Sequence, residues 1–277
     1  MTDALKNAAT SPAARRAAHG LTRVGIAARG ILYALLGLIT LLAAAHLQRA
    51  RGPKGTLVAL LAYPAGRIVV FLLAVGFLSF AVAHLFALFT PHGSPWKIWG
   101  ERTLHLFLLA TYASLALFAF TLALYRTGGN PHQTRDWVEW LFSWPGGRIA
   151  LLLIALGIAG FGGFEEWRAA LGSSRQELPG ARLLVRSLWR FGIAARGALF
   201  IGVAFALARV AFDNKPQQAG GMGDVLRALI AYPAARPLML LLAAGLMSYG
   251  LVELLIARRG EAPETAPANA AAAPAPA

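Results

Sequence analysis

Six long apolar runs, separated by shorter segments that carry charge, dominate the pattern of hydrophobic and polar positions along the chain. They lie at residues 24–47, 66–89, 103–125, 147–167, 191–212 and 235–257. A helix needs about 20 residues to cross the ~30 Å hydrocarbon core of a bilayer. Lipid-exposed strands or loops would leave backbone hydrogen-bonding groups unsatisfied there. The pattern therefore predicts six transmembrane helices.

Two of these runs are almost purely apolar, and three contain isolated charged residues. The central parts of the second and third runs hold no formal charge and one histidine each, His84 and His105. Arg29, Arg196 and Glu253 lie inside the first, fifth and sixth runs. Ionisable groups are costly inside a bilayer and often mark a functional pathway, so these residues are the first candidates for a site.

The composition agrees with an integral membrane protein. Hydrophobic residues make up 57% of the 277 residues and charged residues 14%, against roughly half and about a quarter in soluble domains. The mean hydropathy is +0.58. The sequence contains no cysteine, which excludes disulfides, thiol catalysis, iron–sulfur clusters and thiolate zinc sites.

The net charge of +14 predicts lipid contact and orientation rather than nucleic-acid binding. The Arg residues stand singly or in pairs between the apolar runs, where they can contact anionic lipid headgroups. Slightly more than half of the 26 Lys and Arg residues fall on one side if the spans alternate from the N-terminus. The positive-inside rule then predicts cytoplasmic N- and C-termini.

An internal repeat connects the beginning, middle and end of the chain. The sequence GIAARG occurs at residues 25–30 and again at 192–197. A second motif, an aromatic residue followed by Pro, two small residues and Arg, occurs at 63–67, 144–148 and 232–236. Three copies of one motif indicate a chain built by repetition of a single unit.

The motif spacing defines equivalent positions in the three copies. Thirteen residues beyond each leading aromatic residue lies a glycine: Gly76, Gly157 and Gly245. Twenty-one residues beyond it lie His84, Glu165 and Glu253. On the first helix of each copy the aligned residues are Arg23, Arg102 and Arg190, followed ten residues later by Tyr33, Tyr112 and Phe200. Leu108 of the second copy stands where the other copies have Arg29 and Arg196.

Each copy is therefore predicted to consist of two spans and the segment between them. The copies occupy residues 23–90, 102–168 and 190–257. Two spans per copy preserve orientation across the membrane, so the copies are expected to be parallel and related by a pseudo-three-fold axis along the membrane normal. The predicted fold class is an all-α integral membrane protein.

The remaining segments are expected to lie outside the three copies. Residues 1–22 are expected to form a flexible cytosolic tail, and residues 258–277, rich in Ala and Pro, a disordered one. Residues 169–189 are expected to form an amphipathic linker on the membrane surface. A cleaved signal peptide ending near Ala43–Ala45 is the alternative for the first run. The repetition of its motif in mid-chain favours a retained structural unit.

The aromatic–Pro motif has a structural role in the prediction. Proline is tolerated in the first turn of a helix, and the preceding aromatic side chain suits the headgroup region. A short apolar stretch precedes each motif, at residues 57–62, 137–142 and 225–231. These stretches are candidate interfacial half-helices, and a substrate gate formed by them is the alternative interpretation.

Five ionisable residues form the candidate intramembrane polar site: Arg29, His84, Glu165, Arg196 and Glu253. Arg196 and Glu253 enter the membrane from the same side and are expected to pair, because each charge would be costlier alone. Arg29 and His84 occupy the same two places in the first copy. Glu165 has no Arg at the matching place in its own copy and is expected to reach Arg29 or Arg196 of a neighbour.

Three roles for this polar site stay open at the level of sequence. The pairs can join helices near the cytoplasmic interface, with Arg29 and Arg196 extending to the headgroups. They can form a proton or ion relay on His84, Glu165 and Glu253, or they can bind lipid or a partner. Glu165 precedes a charged span end that is expected to face water, which weakens the relay.

Motifs that would indicate catalysis or a cofactor are not found in the sequence. The six histidines form no HxxxH or HExxH pattern, and there is no phosphate-binding loop or GxSxG elbow. These patterns would indicate a metal site, nucleotide binding and a serine nucleophile. We therefore expect neither a metal nor a cofactor, and no enzymatic activity.

The repeated GIAARG, the aromatic–Pro–small–small–Arg motif and the glycine thirteen residues beyond it resemble a known pattern. They are similar to the bacterial membrane family numbered twelve hundred and six in the domain-of-unknown-function series, which carries three tandem two-helix repeats. The resemblance covers residues 21–257 and implies a six-helix protein of the bacterial cytoplasmic (inner) membrane. It implies no activity. Leu108 and His84 depart from the repeat, so a three-fold chemical site would be uneven.

The sequence therefore predicts a polytopic membrane protein with a structural or partner-binding role. A small secondary transporter or proton-linked channel using the intramembrane carboxylates is the alternative. Transport requires a water-accessible cavity that reaches these groups, whereas a structural role predicts paired carboxylates in a closed bundle. The expected partners are the bilayer with its anionic headgroups and an unidentified membrane protein, and not nucleic acid.

Overall fold

A computed structural model describes residues 12–45, 50–88, 95–125, 133–171 and 183–259. These residues form nine α-helices, two short 3-10 turns at Pro216–Gln218 and Pro233–Ala235, and connecting segments. The helices are α1 (Pro12–Ala44), α2 (Pro53–Leu60), α3 (Gly66–Leu88), α4 (Pro95–Tyr125), α5 (Gln133–Phe142), α6 (Gly147–Leu171), α7 (Leu183–Asp213), α8 (Met222–Ile230) and α9 (Arg236–Arg259).

Six of these helices, α1, α3, α4, α6, α7 and α9, are long and apolar enough to cross a bilayer. They coincide with the six runs, and the prediction of an all-α integral membrane fold is confirmed. The short helices α2, α5 and α8 overlap the three apolar stretches that precede the motifs and begin three or four residues before them. At the start of α8 the carboxylate of Asp224 accepts a hydrogen bond from the backbone N–H of Gly221, 2.8 Å away.

Several helices extend beyond the predicted boundaries. Helix α1 begins at Pro12, so residues 12–22 of the expected flexible tail are helical. Helix α6 continues to Leu171 and α7 begins at Leu183, so the ends of the expected linker belong to membrane-spanning helices. Residues 1–11, 172–182 and 260–277, which contain the rest of both tails and of the linker, lie outside the described residues.

The most extensive helix packing joins neighbouring copies of the repeat rather than the two spans of one copy. Helix α3 packs against α4, α6 against α7, and α9 against α1. We call these three antiparallel helix pairs the seams. Because α9 of the third copy packs against α1 of the first, the seams connect the copies in cyclic order, each second span packing on the first span of the next copy.

Arginines join the helix ends at the seams. The Nε of Arg67, at the start of α3, donates to the Ala123 carbonyl of α4 at 2.6 Å. The equivalent arginines of the other two motifs bind helix ends in the same way: Arg148 donates to Phe212 of α7, and Arg236 donates to Ala44 of α1. The last carbonyls of a helix have no partner within it and carry negative partial charge, so a guanidinium stabilises them.

A second set of arginines binds the opposite ends of the seams. Arg23 of α1 donates to the carbonyls of Ala257 and Arg258 at the end of α9. Arg190 of α7 donates to those of Ala169 and Ala170 at the end of α6. Arginines therefore bind both ends of the seams between α9 and α1 and between α6 and α7, and one end of the seam between α3 and α4.

Replacing Arg190 with alanine is expected to lower the free energy of unfolding by about 1–2 kcal/mol, because two charge-assisted hydrogen bonds to α6 are lost at a partly exposed site. Arg209→Ala is the matched control on the same helix, since Arg209 is exposed and lies 3.6 Å from Asp213. Its effect is expected to stay within about 0.5 kcal/mol. Thermal unfolding followed by circular dichroism measures both, and equal losses would contradict the assigned role of Arg190.

The three seams share one aromatic contact, which supports the pseudo-three-fold relation. Edge-to-face ring pairs join α3 to α4, α6 to α7, and α9 to α1, with ring centroids 4.7, 5.1 and 5.0 Å apart. The pairs are Phe80–Tyr112, Phe161–Phe200 and Tyr249–Tyr33. Each pair occupies the same repeat positions, so the copies are related as the sequence predicts.

The two spans of one copy pack together in the first and third copies only. Helix α1 contacts α3, and α7 contacts α9, whereas α4 and α6 share no packed interface over the described residues. A Cβ built on Gly76 would lie 2.3 Å from the Cβ of Ala28, and one on Gly245 would lie 2.2 Å from that of Ala195. The equivalent Gly157 has nothing within 4 Å. The six-helix ring is open between α4 and α6.

Candidate functional site

The first ion pair of the candidate site joins the first and last spans. Arg29 donates through Nε to Oε2 of Glu253 at 3.0 Å and through Nη2 to both carboxylate oxygens at 2.7 Å. The exposed fractions of the two side chains are 3% and 0%. A multidentate geometry of this kind compensates two charges that would each be costly to bury alone.

The second ion pair lies at the seam between α6 and α7. Nη2 of Arg196 lies 2.7 Å from Oε2 of Glu165. Arg168, one turn further along α6, donates to Oε1 of the same carboxylate at 3.2 Å. Glu165 therefore lies between two guanidinium groups and is buried. The expectation that this span end faces water is wrong for Glu165, because the helix continues to Leu171 and packs on α7.

Tyr249 of α9 connects the two ion pairs. Its hydroxyl accepts a hydrogen bond from Nη1 of Arg196 at 2.7 Å. Its ring lies 4.6 Å from the Arg196 guanidinium and 5.9 Å from that of Arg29. The Trp189 ring stacks on the Tyr249 ring with a centroid separation of 5.3 Å. An aromatic ring beside two buried cations stabilises them through its quadrupole.

The third seam carries histidines in place of an ion pair. Nδ1 of His84 on α3 lies 2.9 Å from Nδ1 of His105 on α4, so one ring donates and the other accepts. His84 is fully buried. Its Nε2 has no hydrogen-bond partner among the described residues. Since Leu108 replaces the seam arginine here, both members of the ion pair are exchanged together.

The predicted pair between Arg196 and Glu253 is wrong. Glu253 binds Arg29 of the first copy, and Arg196 binds Glu165 of the second. The reason is the cyclic packing, because each acidic residue faces the first span of the next copy. Of the two alternatives for Glu165, the structure selects Arg196. Arg196 does reach its own copy's second span, through the Tyr249 hydroxyl.

The five predicted site residues are all buried and are distributed over the three seams. Together with their partners Tyr249, Arg168 and His105 we call them the polar belt. The expectation that Arg29 and Arg196 extend to the headgroups is wrong, since both are buried and paired. Sequence reasoning left out Tyr249, Arg168 and His105 as partners. In the described part of the chain no three metal-binding side chains cluster. The belt contains two carboxylates paired with arginines and one pair of histidines in contact.

Comparison with known proteins agrees with the repeated architecture. The sequence matches the family described as Domain of Unknown Function (DUF1206) at residues 24–88, 110–172 and 191–260. It is also similar to an uncharacterized protein, YxxB, of Bacillus subtilis (strain 168), with 23% identity over 243 residues, or 84% of this chain and 88% of the relative. No solved structure matches.

Proposed function

Because the chain belongs to the DUF1206 family, whose unit it contains three times, we propose that it is a structural or partner-binding protein without enzymatic activity. We place it in the bacterial cytoplasmic membrane with both termini in the cytoplasm. The exposed arginines near the span ends would contact anionic lipid headgroups, to which a basic protein is attracted. Its action would then consist of holding a defined six-helix surface in the bilayer.

A single observation carries this proposal: both intramembrane carboxylates are neutralised by arginines. Glu253 accepts three hydrogen bonds from Arg29, and Glu165 contacts both Arg196 and Arg168. A carboxylate that carries protons across a membrane must bind and release them during each cycle. Here the oxygens of both carboxylates contact guanidinium groups, and both side chains are buried away from solvent. These contacts therefore favour a role in joining helices.

A second candidate function, a proton-linked channel or transporter, rests on the seam between α3 and α4. There the ion pair is replaced by two histidines in direct contact, and Nε2 of His84 is unpartnered among the described residues. Imidazole can accept a proton at one nitrogen and release it from the other. A proton path at this seam would use His84 and His105 rather than the carboxylates.

Proton flux in liposomes distinguishes the two functions. Purified protein is reconstituted, a pH gradient is imposed, and internal pH is read with a fluorescent dye. We expect the native protein to leak protons no faster than empty liposomes. Flux that exceeds the empty-liposome rate and is abolished in His84→Phe would contradict the structural role and support the channel.

Two further variants locate any flux within the polar belt. His105→Phe tests the second member of the histidine pair, and Glu253→Gln tests the carboxylate alternative. Each variant is compared with the native chain after confirming equal helicity and equal incorporation. Flux lost only in Glu253→Gln would assign conduction to the carboxylates and contradict a purely structural role of the Arg29–Glu253 pair.

A further inference from the structure

The open interface between α4 and α6 exposes two helix faces that are buried in the other copies. On α6, Ile154 is 40% exposed, whereas Leu73 and Leu242 at the same repeat position are 2% and 6% exposed. Phe164 is 48% exposed, and its equivalents Ala83 and Val252 are buried. Gly76 of α3 and Gly245 of α9, the equivalents of Gly157, contact the first span of their own copy.

The side of α4 that corresponds to this interface is exposed as well. Phe107 is 48% exposed, while its equivalents Ala28 and Ala195 are 4% and 6% exposed. Thr111 is exposed one turn further along, where the other copies have buried leucines. Phe107 is larger than the alanines that contact Gly76 and Gly245.

We propose that these two faces form the interface with a second copy of this chain. In the dimer, α4 of each protomer packs against α6 of its partner, so that the missing interface forms twice between chains. The occupant is indicated by the repeat, because faces at these positions are covered in the first and third copies by an antiparallel span of this same chain.

The geometry of a membrane dimer meets this requirement. A two-fold axis along the membrane normal keeps the direction of every span. Helices α4 and α6 run in opposite directions because consecutive spans alternate. The partner's α4 therefore meets α6 antiparallel, which is the relation of α1 to α3 and of α7 to α9. Two-fold homodimers are also the commonest closed assembly.

The side chains of the two faces have complementary sizes. A Cβ placed on Gly157 or Gly160 of α6 would have nothing within 4 Å, so this face presents two positions without side chains about one turn apart. Phe107 of α4 projects from the opposite face. Glycines leave room for side chains of a neighbouring membrane helix, and van der Waals packing rather than water exclusion drives association there.

The proposed dimer concerns a different surface from the polar belt, and its test is independent of the proton-flux assay. A chain that conducts protons can dimerise, and a chain that does not conduct can be monomeric. Failure of one proposal is therefore distinguishable from failure of the other.

Cysteine crosslinking tests the dimer, since the native chain contains no cysteine. Two differently tagged chains are co-expressed, one carrying Phe107→Cys and the other Gly157→Cys, and membranes are oxidised with copper phenanthroline. We expect a disulfide-linked product that carries both tags. Leu117→Cys with Ile149→Cys is the control pair, because both residues and their equivalents in the other copies are exposed.

The reactivity of all four thiols towards a maleimide is checked first. The proposal would be overturned if the disulfide-linked product of the Phe107→Cys and Gly157→Cys chains were no more abundant than that of the control pair. Native mass spectrometry provides a second test. We expect the mass of two chains for the native protein and for Leu153→Trp, and the mass of one chain for Gly157→Trp. A single chain for the native protein, with or without a retained lipid, would likewise overturn the dimer.

Discussion

Glu253→Ala is expected to lower the free energy of unfolding by about 3–5 kcal/mol, because it leaves the Arg29 guanidinium buried without a counter-charge. Arg29 is 3% exposed and directs three hydrogen bonds to this carboxylate. Its ring contacts, with Phe80 and Tyr249 at 5.1 and 5.9 Å, offset only part of the loss. The loss of helical circular dichroism on titration with a denaturing detergent measures the effect.

The double variant Arg29→Met, Glu253→Leu is the control for this prediction. Replacing a buried ion pair by apolar side chains of similar size is often neutral or stabilising. We expect the double variant to recover most of the stability that Glu253→Ala loses. If the double variant is as unstable as the single one, the loss does not arise from an uncompensated charge.

Gly76→Leu is expected to destabilise the protein by about 2–3 kcal/mol, whereas Gly157→Leu is expected to change stability by less than about 0.5 kcal/mol. The two glycines occupy the same place in two copies. A Cβ on Gly76 would lie 2.3 Å from that of Ala28, so α1 and α3 must separate to admit any side chain. Gly157 has nothing within 4 Å.

The comparison is made by unfolding in detergent at no more than one chain per micelle, so that association does not contribute to the measured stability. Gly245→Leu serves as an additional control, because its Cβ would lie 2.2 Å from that of Ala195. It is expected to behave like Gly76→Leu. Equal losses for all three glycines would mean that α4 and α6 pack together, and the open ring would then be incorrect.

The number of spans and their grouping into copies could be predicted from the sequence because both depend on local patterns. Twenty apolar residues define a span without reference to any other part of the chain. The motifs define equivalent positions by spacing alone. The short helices before each motif follow from the same local pattern, and α2, α5 and α8 lie where it places them.

The pairing of charges could not be predicted in the same way because it depends on which spans pack together. The repeat shows which positions are equivalent in the three copies. It does not show whether Glu253 contacts the first span of its own copy or the first span of the next copy. One signal was available: His84 and Leu108 depart from the repeat together. Two partners exchanged at once indicate a contact between copies. The position of Tyr249 between two arginines had no comparable signal.

The separation of α4 from α6 could not be predicted from the repeat either. A repeat with three copies predicts three equivalent interfaces within copies, and only two form over the described residues. The exception is visible in the sequence as larger or more polar residues on these faces, such as Phe107 in place of alanine and Thr111 in place of leucine, while Gly157 retains the repeat residue. The size of one side chain does not predict that a helix pair separates, because neighbouring helices determine how far it can move.

The seam between α9 and α1 has a consequence for the biosynthesis of the protein. Arg29 enters the membrane with the first span, and the residue that neutralises it follows 224 positions later. Until the last span is inserted, the first has neither its counter-charge nor its main packing surface. A chain that is truncated before α9 would keep a charged, half-covered helix in the lipid. The seam between α9 and α1 can therefore form only after α9 has been inserted.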